Sequence, residues 1–535
     1  MAIRLKLRQV QIQMCIRTKP YLILSLIAGL YALACQAQPV APFESELAFT
    51  PANGIDERVL ATLRKKGIEP AARCSDEVFL RRVYFDLIGT LPMAVEARDF
   101  LQDKSPDKRA ELVERLMQRP EFADYWAMKW GDLLRVKAEF PINLWPNAVQ
   151  AYHRWIWEAM RDNKPYDQFA RELLTSSGSN FRVAPVNFYR AVQGREPGNI
   201  AGAVALTFMG TRLDTWPEAK RADFTAFFSR LTYKSTKEWK EEIVCLNPTV
   251  TTPLAAVLPD GTKVKIPAGQ DPREVFANWL LAPGNQWFAR NIANRMWSWF
   301  MGRGIIHEPD DIRFDSVPVN PELLSYLQKE LVDSKYDLRH LMRLIVNSRT
   351  YQQSPIARSK SPQVETLFAV YPVRRLEAEV LADALEAICG QGESYSSPIP
   401  EPFTFIPDEE RSIALADGSI TSGFLEMFGR SPRDTGLESE RNNQPTDAQR
   451  LYLLNSADVQ REMERSKFLA RIMQVTQGKR PDMIMWIYLG VLSRPPSAAE
   501  AALAAKHFEG AANTKQGAED LAWASMNSKE FLYRH

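Results

Sequence analysis

Residues 290–304, RNIANRMWSWFMGRG, carry the side chains in this sequence that are best suited to hold an anion. If the stretch is helical, polar side chains share one arc, apolar side chains face the opposite way, and Gly302 ends the helix. Two guanidinium groups beside two amides can hold a carboxylate, sulfate or phosphate through forked hydrogen bonds. The polar arc contains Arg290, Asn291, Asn294, Arg295 and Ser298, opposite Ile292, Met296, Trp299 and Phe300.

The alternative partner for these arginines is internal. Asp310 and Asp311 follow soon after, in the segment HEPDDIRFD at residues 307–315. Arg–Asp pairing there would fix the corner that follows the helix. We favour this pairing over a ligand, because ion-pair networks are the commoner use of such residues.

The same acidic segment has the residue types of a metal site or a general acid/base pair. Its candidates are His307, Glu308, Asp310, Asp311 and Asp315. Their spacing matches neither an EF-hand loop nor HExxH. An acidic loop after a helix is usually solvated or paired with nearby arginines, so we predict neither a metal ion nor a cofactor.

An enzyme of hydrolase-like but unrecognised type is the alternative to a binding protein. Its polar site would be built from Arg290, Asn294, Arg295, Asp310, Asp311 and Arg349. The sequence has no GxSxG and no GxxxxGK[ST], and its five histidines lie in unrelated contexts. Whether the chain is an enzyme therefore stays open at this stage.

A third polar stretch, residues 432–456, reads PRDTGLESERNNQPTDAQRLYLLNS. Its charged residues are Arg433, Asp434, Glu438, Glu440 and Arg441, and Thr446 is placed to cap a helix that packs through Leu451, Leu453 and Leu454. Glu438 and Glu440 could act in catalysis. We favour a structural role, in which the mixed charges join this loop to the arginine-bearing helices.

The charge balance argues against a nucleic-acid partner. Net charge is +2, from 67 basic and 65 acidic residues among 535. Binding of nucleic acid needs a concentrated basic surface, which this composition does not indicate. The 13 tryptophans suit either carbohydrate stacking or core packing, and composition alone favours the core.

Residues 1–37 have the anatomy of a secretory signal peptide. A basic start precedes an apolar run over residues 21–34, which is shorter than the roughly 20 residues that span a bilayer. Cleavage after Ala34 or Ala37 would release a secreted or periplasmic protein. Cys35 resembles a weak lipid-attachment box, and we favour plain secretion over lipid anchoring. No later segment is predicted to cross a membrane.

The remaining cysteines, Cys74, Cys245 and Cys389, are isolated in the sequence. No CxxC or CxxCH motif is present, which argues against structural zinc and covalently attached haem. One disulfide plus one free thiol is compatible with an oxidising compartment, and the pairing stays open.

The positioning elements are mainly α-helices. Ser105 with Pro106, and Asn320 with Pro321, are typical of helix starts, and Pro120 is expected to end the first of these helices. We predict a mainly α, multi-helical fold with two helical domains, 45–245 and 271–535. A small β-hairpin around Asp260-Gly261 is expected in the join at 246–270. Residues 391–422 are expected to form a long loop.

The sequence resembles a bacterial family of secreted proteins that pair two domains of unknown function, numbered 1549 and 1553. The first resemblance rests on FLRRVYFDLIGTLP and on NKPYDQFARELL. The second rests on NQWFARNIANRMWSWFMGRGIIHEPDDIR, FGRSPRDTGLESERNNQPTDAQRLYLLNS and the closing MNSKEFLYRH. The family is planctomycete-type and cytochrome-associated, and its members are often fused to cytochrome-like or carbohydrate-binding modules.

Many family members resemble c-type cytochromes through a CxxCH motif in the first domain. Here Asp214, Thr215 and Trp216 stand at that place, and Leu437 and Ser439 replace a CxC of the second domain. The chain is therefore similar to a haem-less branch, and electron transfer is not favoured. We predict a binding or scaffolding role linked to polysaccharide handling, with a glycan or an envelope protein as candidate partner.

Overall fold

The computed structural model describes residues 40–45, 49–390, 392–407, 410–455 and 457–535. The predicted signal peptide, with Cys35, lies outside these residues. Within them, no helix combines the length and apolar character needed to cross a membrane. The fold is mainly helical, as the sequence predicts.

Helices form most of the first half of the chain. They are α1 (Gly54–Lys66), α2 (Asp76–Leu87), α3 (Ala94–Gln102), α4 (Lys108–Met117), α5 (Pro120–Leu133), α6 (Pro146–Arg161), α7 (Tyr166–Thr175), α8 (Pro197–Val204) and α9 (Glu218–Thr225). A π-helical turn, Ala205–Met209, continues α8, and a 3₁₀ turn, Leu213–Thr215, precedes α9.

The second half continues in the same style. Its helices are α10 (Pro272–Leu280), α11 (Phe288–Met301), α12 (Pro321–Asp333), α13 (Leu338–Val346), α14 (Ala378–Cys389), α15 (Gly423–Met427), α16 (Asp447–Asn455), α17 (Ala457–Glu464), α18 (Lys467–Thr476), α19 (Arg480–Leu492), α20 (Ala498–Gly510), α21 (Thr514–Met526) and α22 (Lys529–Leu532).

Three small antiparallel sheets complete the fold. Their strands are β1 (Gly178–Ser179), β2 (Leu231–Ser235), β3 (Glu242–Leu246), β4 (Leu254–Val257), β5 (Lys263–Ile266), β6 (Arg374–Arg375) and β7 (Tyr533–Arg534). The order β1-β3-β2 defines the largest sheet, while β4 pairs with β5 and β6 with β7. The β4–β5 hairpin is the one that Asp260-Gly261 predicts. The sheet of β1, β2 and β3 was not predicted from the sequence and adds three short strands to the mainly helical first half of the chain.

Local sequence explains the helix starts, with one correction. Asn320 accepts a hydrogen bond from the Leu323 amide and Pro321 occupies the first turn of α12, as predicted. The start predicted at Ser105 and Pro106 is wrong, because α4 begins at Lys108. The Ser105 hydroxyl instead accepts from the Asp107 amide and closes a turn. Pro120 starts α5 rather than ending α4.

The packing face of α16 also differs from the prediction. Thr446 caps the start of the helix, because its hydroxyl accepts from the Gln449 amide. Leu453 is buried, but Leu451 and Leu454 are 57% and 42% exposed. One leucine therefore packs this helix instead of three.

The long loop predicted at 391–422 is irregular over its described residues, apart from a 3₁₀ turn at Ser412–Ala414. Its second part is not solvated. Ile413 and Asp417 are buried, and Asp383 on α14 accepts hydrogen bonds from the amides of Ser412 and Ile413. This part of the loop is therefore an element of the core.

One hydrophobic cluster runs through both predicted domains. α1 packs on α12, α3 packs on α19, and β6 pairs with β7, so elements far apart in sequence share the core. Cys74, Cys245 and Cys389 are free thiols. The division into two domains at 246–270 stays a proposal based on the sequence.

Candidate functional site

The Arg/Asn face of α11 lies in a closed corner. Every residue from Asn291 to Met301 is buried, so the polar arc meets protein and not solvent. Asn294 accepts from the Ile306 amide at 2.8 Å and donates to the Ile306 carbonyl at 2.9 Å. Arg295, 1% exposed, donates to Asp310 at 2.6 Å. The internal pairing favoured from the sequence is the one observed.

The other three residues of the predicted polar site do not join this corner. Asp311 pairs with the exposed Arg313 at 2.6 Å. Arg290 is half-buried, and its side chain donates a long hydrogen bond, 3.5 Å, to the Ser316 carbonyl. Arg349 lies elsewhere, with its amide bonded to Asp56 and its guanidinium to Gln352. The six residues predicted as one site are therefore divided among separate places.

The TGLESER loop covers the same corner. The Glu438 amide donates to Asp310 at 2.6 Å, and its carboxylate accepts from the Trp299 indole at 3.1 Å. Arg441 pairs with Asp132 at 2.6 Å and with Glu379 at 2.5 Å. These ion pairs join the loop to α5 and α14, which is the structural role favoured from the sequence.

A buried ionic network continues from this loop toward β7. Glu377 accepts from Lys129 at 2.7 Å and from Arg534 at 2.6 Å. Burial alone would raise the pKa of Glu377, but Arg534 and Lys129 hold it well below its usual range. The space left beside Arg295 and Glu438 is about 20 Å³, which is close to the size of one water molecule. No sugar or phosphate ester fits there.

A separate, open cleft lies where four segments of the chain meet. Its volume is about 770 Å³, and its aromatic side chains are Trp216, Trp279, Trp287 and Phe314. We call this site the aromatic cleft. Trp216 follows the 3₁₀ turn before α9, Trp279 belongs to α10, Trp287 precedes α11, and Phe314 comes from the acidic segment.

The β4–β5 hairpin closes one wall of the aromatic cleft. Asp260, at the hairpin turn, accepts from the Trp279 indole at 2.8 Å. The Trp216 and Trp287 rings lie 6.0 Å apart between centroids at an angle of 40°. All three indoles are partly exposed, and Phe314 is 96% exposed at the rim. Polar groups of Lys220, Asn285, Gln286, Arg313 and Asp315 complete the lining.

Sequence reasoning missed this cleft. Its aromatic residues come from four separate stretches, and none forms a recognisable motif with another. Two signals pointed near it, namely the tryptophan content and the Asp214-Thr215-Trp216 segment, which stands where the resemblance implies haem attachment. Trp216 of that segment is part of the cleft wall.

A second cleft, of about 790 Å³, lies on the other side of residues 212–222. Three arginines line it: Arg135, which follows α5, Arg212, and Arg221 on α9. We call it the arginine cleft. Leu213 and Asp214 line this cleft while Thr215 and Trp216 line the aromatic one, so the two clefts share a wall.

Exposed aromatic side chains also gather at three loop tips. Trp239 packs edge-on against Trp145, at 4.7 Å between ring centroids, and lies 5.3 Å from Phe403. Trp239 is 55% exposed. This group is separate from both clefts, which makes Trp239 a useful comparison for tryptophans inside the aromatic cleft.

Over the part of the chain that the structure describes, no group of three or more His, Cys, Asp or Glu side chains is arranged to hold a metal ion. His307 is exposed, and partial desolvation of its ring together with the nearby Arg303 lowers its pKa. Glu308 is exposed. The acidic segment therefore serves to pair with Arg295 and to form the rim of the aromatic cleft.

Comparison with known proteins gives two family matches. Residues 54–219 match the model described as a protein of unknown function (DUF1549), and residues 272–508 match the model described as a protein of unknown function (DUF1553). Searches among curated proteins and among solved structures found no match. The sequence carries no CxxCH motif in either matched region. The chain therefore belongs to the family of proteins that pair DUF1549 with DUF1553, in that order.

Proposed function

We propose that this protein binds a glycan in the aromatic cleft. The observation that carries the proposal is the presence of three partly exposed indoles and one exposed phenyl ring around a cleft of about 770 Å³. A binding site of this kind combines apolar and aromatic walls with a few placed polar groups. The C–H faces of a sugar ring stack on aromatic rings, and its hydroxyls need donors and acceptors such as Lys220 and Gln286.

Glycan binding without catalysis is better supported than glycan hydrolysis. Of the two acids in the cleft lining, Asp260 already accepts from the Trp279 indole and the Thr262 amide. A glycosidase needs two carboxylates with separate tasks on opposite sides of one bond. The Arg295–Asp310 corner, which carried the enzyme hypothesis, has no room for a substrate.

The location that we propose is outside the cytoplasm. The support for it is the sequence of residues 1–37, with an apolar run and small residues before a polar stretch. A secreted or periplasmic protein would meet polysaccharide directly. An envelope protein as a scaffolding partner stays a second form of the same hypothesis.

A glycan array followed by calorimetry tests the proposal. The protein is expected to retain at least one polysaccharide, and Trp216→Ala and Phe314→Ala are each expected to weaken binding about tenfold, because each removes a stacking face. Phe314 is the safer change, since its exposed side chain contributes little to folding. Trp239→Ala is the matched control and is expected to leave the affinity unchanged.

Two results would overturn the proposal. One is an array that retains no glycan in any class. The other is an affinity loss for Trp239→Ala equal to that for Trp216→Ala, since a general loss of aromatic surface would then explain both.

A further inference from the structure

Arg135 is a buried arginine without a carboxylate partner. It is 2% exposed and lines the arginine cleft. Its Nε donates to the Ala191 carbonyl at 2.5 Å and its Nη1 to the Leu133 carbonyl at 3.1 Å. Its Nη2 is buried and has no acceptor in the described part of the chain. Burial lowers the pKa of Arg135 to about 10, so the group stays charged at neutral pH.

Arg212 and Arg221 share this property in part. The Nε atom of each is buried and has no hydrogen-bond acceptor among the residues that the structure describes. Over the same residues, none of the three arginines forms an ion pair with a carboxylate. The neighbouring Arg295, Arg433 and Arg441 all do, at 2.6 to 3.0 Å. Three guanidinium groups without a carboxylate counterion therefore line one cleft.

Acids are present in this cleft but are not paired with its arginines. Asp434 is held by Lys137 at 2.7 Å. Asp214 and Glu218 are exposed at the rim. Behind the cleft, Glu440 accepts from the amides of Thr435 and Gly436. Asp434 and Glu440 are therefore held by other donors, and neither Asp214 nor Glu218 forms an ion pair with the three arginines in the described part of the chain.

An unpaired, desolvated guanidinium is costly to the fold, and an arriving anion would satisfy it. Arg135 is such a group in the wall of an open cleft, and Arg212 and Arg221 add two partly exposed guanidinium groups to the same lining. Carboxylates, sulfates and phosphates have the oxygen spacing that a guanidinium fork matches. Those groups are the chemical class that this cleft suits.

We propose that the arginine cleft binds an anionic group of the glycan that stacks in the aromatic cleft, so that the ligand is an acidic glycan bearing sulfate or carboxylate groups. For its sugar part this inference rests on the proposed function. The shared wall at residues 212–222 brings the stacking surface and the guanidinium groups to the two sides of one segment, where a single chain molecule can reach both.

The test compares dextran sulfate with dextran, which have the same sugar backbone and differ in charge. Binding of each is measured by calorimetry to the full chain at 50 and 200 mM salt. We expect dextran sulfate to bind at least tenfold more tightly, and Arg212→Gln with Arg221→Gln to remove at least tenfold of that affinity. The same double variant should leave dextran binding unchanged. Carboxymethyl cellulose against hydroxyethyl cellulose repeats the comparison for carboxylate.

Arg182→Gln is the control for unspecific attraction, because its side chain is 81% exposed and lies outside both clefts. Arg135→Gln is a stricter test of the cleft, but it changes a buried group. Its binding data are therefore interpreted only if the variant has the same melting temperature as the unchanged protein. Equal binding of the charged and neutral polymers would overturn the inference. So would an affinity loss from Arg182→Gln as large as that from the double variant.

Inorganic sulfate alone separates this inference from the proposed function. If sulfate binding depends on Arg212 and Arg221 but Trp216→Ala changes the affinity for no polysaccharide, the anion site is supported and glycan stacking in the aromatic cleft is wrong. If neutral dextran binds through Trp216 and sulfate has no effect, glycan binding stands and the anion site is wrong.

Discussion

At the scale of single residues, the partners of Arg295 explain why its role is structural. Its guanidinium lies 2.6 Å from Asp310, and both side chains are almost fully buried. Asp310 also accepts from the Glu438 amide, so one carboxylate joins α11 to the TGLESER loop. Removing one partner of a buried pair leaves an uncompensated charge.

We predict that Asp310→Asn lowers the free energy of unfolding by about 3–5 kcal/mol, measured by urea denaturation. The double variant Arg295→Met with Asp310→Leu should recover part of that loss. Asp311→Asn is the matched control, because its partner Arg313 is exposed, and it should cost less than about 1 kcal/mol. Equal losses for the two aspartate variants would contradict the structural role.

The buried ion pair of Glu379 and Arg441 makes the free energy of unfolding depend on pH. Burial raises the pKa of Glu379, but Arg441 and Arg430 together lower it to about 2, from a usual value of 4.5. A lowered folded-state pKa gives stability that is complete above the unfolded-state value and is lost as pH falls. We therefore predict a loss of roughly 3 kcal/mol between pH 4.5 and 2 from this group.

Urea midpoints measured from pH 2 to 6 check this prediction. Glu379→Gln should show a flatter dependence on pH in that window, together with lower stability at neutral pH. Glu426→Gln, which changes an exposed carboxylate, should keep the dependence of the natural protein. An unchanged slope in Glu379→Gln would show that other carboxylates account for the acid sensitivity.

The sequence predicted contacts between residues that are close together in the chain but not contacts between distant ones. Asp310 follows Arg295 by 15 positions, so a turn after the helix brings the two together. Arg349 meets Asp56, which is 293 positions away, and no local pattern indicates that contact. The arginines of the arginine cleft were missed for the same reason.

At the scale of elements, α11 shows what a helical pattern can and cannot predict. The spacing of polar and apolar residues predicted the helix and its end at Gly302, and both are observed. It did not predict that the polar side is also covered, because that depends on Ile306, Asp310 and Thr207 from other segments. A helical pattern identifies residues that share a face but not what lies against that face.

The β1–β3 sheet was missed because its strands are short. Leu231–Ser235 and Glu242–Leu246 each contain two adjacent β-branched or aromatic residues without a clear alternation, and each strand has only five residues. The aromatic cleft was missed because its walls belong to α10, the β4–β5 hairpin and three irregular segments. Such a site exists only after the elements pack.

The end of α11 gives a prediction at this scale. Gly302 has φ +72°, and an added Cβ would lie 2.6 Å from the Arg374 side chain. Gly67, which ends α1, has φ +64° and nothing within 4 Å of an added Cβ. We predict that Gly67→Ala costs about 1 kcal/mol for the backbone alone, and that Gly302→Ala costs more.

Thermal and urea denaturation of the two alanine variants measure this difference. Gly67→Ala serves as the control, since both positions end a helix in the left-handed region. Equal costs would show that Arg374 moves away freely and that only backbone strain matters at Gly302.

At the scale of the whole molecule, one core and one ionic network join the two family domains. Arg534 on β7 pairs with Asp86 on α2 at 3.1 Å and with Glu377 at 2.6 Å. The first acid lies in the DUF1549 region and the second in the DUF1553 region. The two regions are therefore expected to unfold together.

We predict a single unfolding transition, with tryptophan fluorescence and far-UV circular dichroism coinciding. Arg534→Ala should shift both signals together to lower urea, by about 3 kcal/mol or more in the free energy of unfolding. Lys529→Ala, an exposed neighbour, is the control and should change little. Two separated transitions, with Arg534→Ala moving one of them, would show independent domains.

The contacts between α2 and residues 531–535 join parts of the chain that are synthesised at very different times. Arg81 donates to the Phe531 carbonyl and Arg82 to the His535 carbonyl, across 450 and 453 positions of the chain. A ribosome delivers residues 81 and 82 long before their acceptors, so the first domain leaves the exit tunnel without the segment that covers it. The guanidinium groups of Arg81 and Arg82 therefore obtain these carbonyl acceptors only after residues 531–535 have been made.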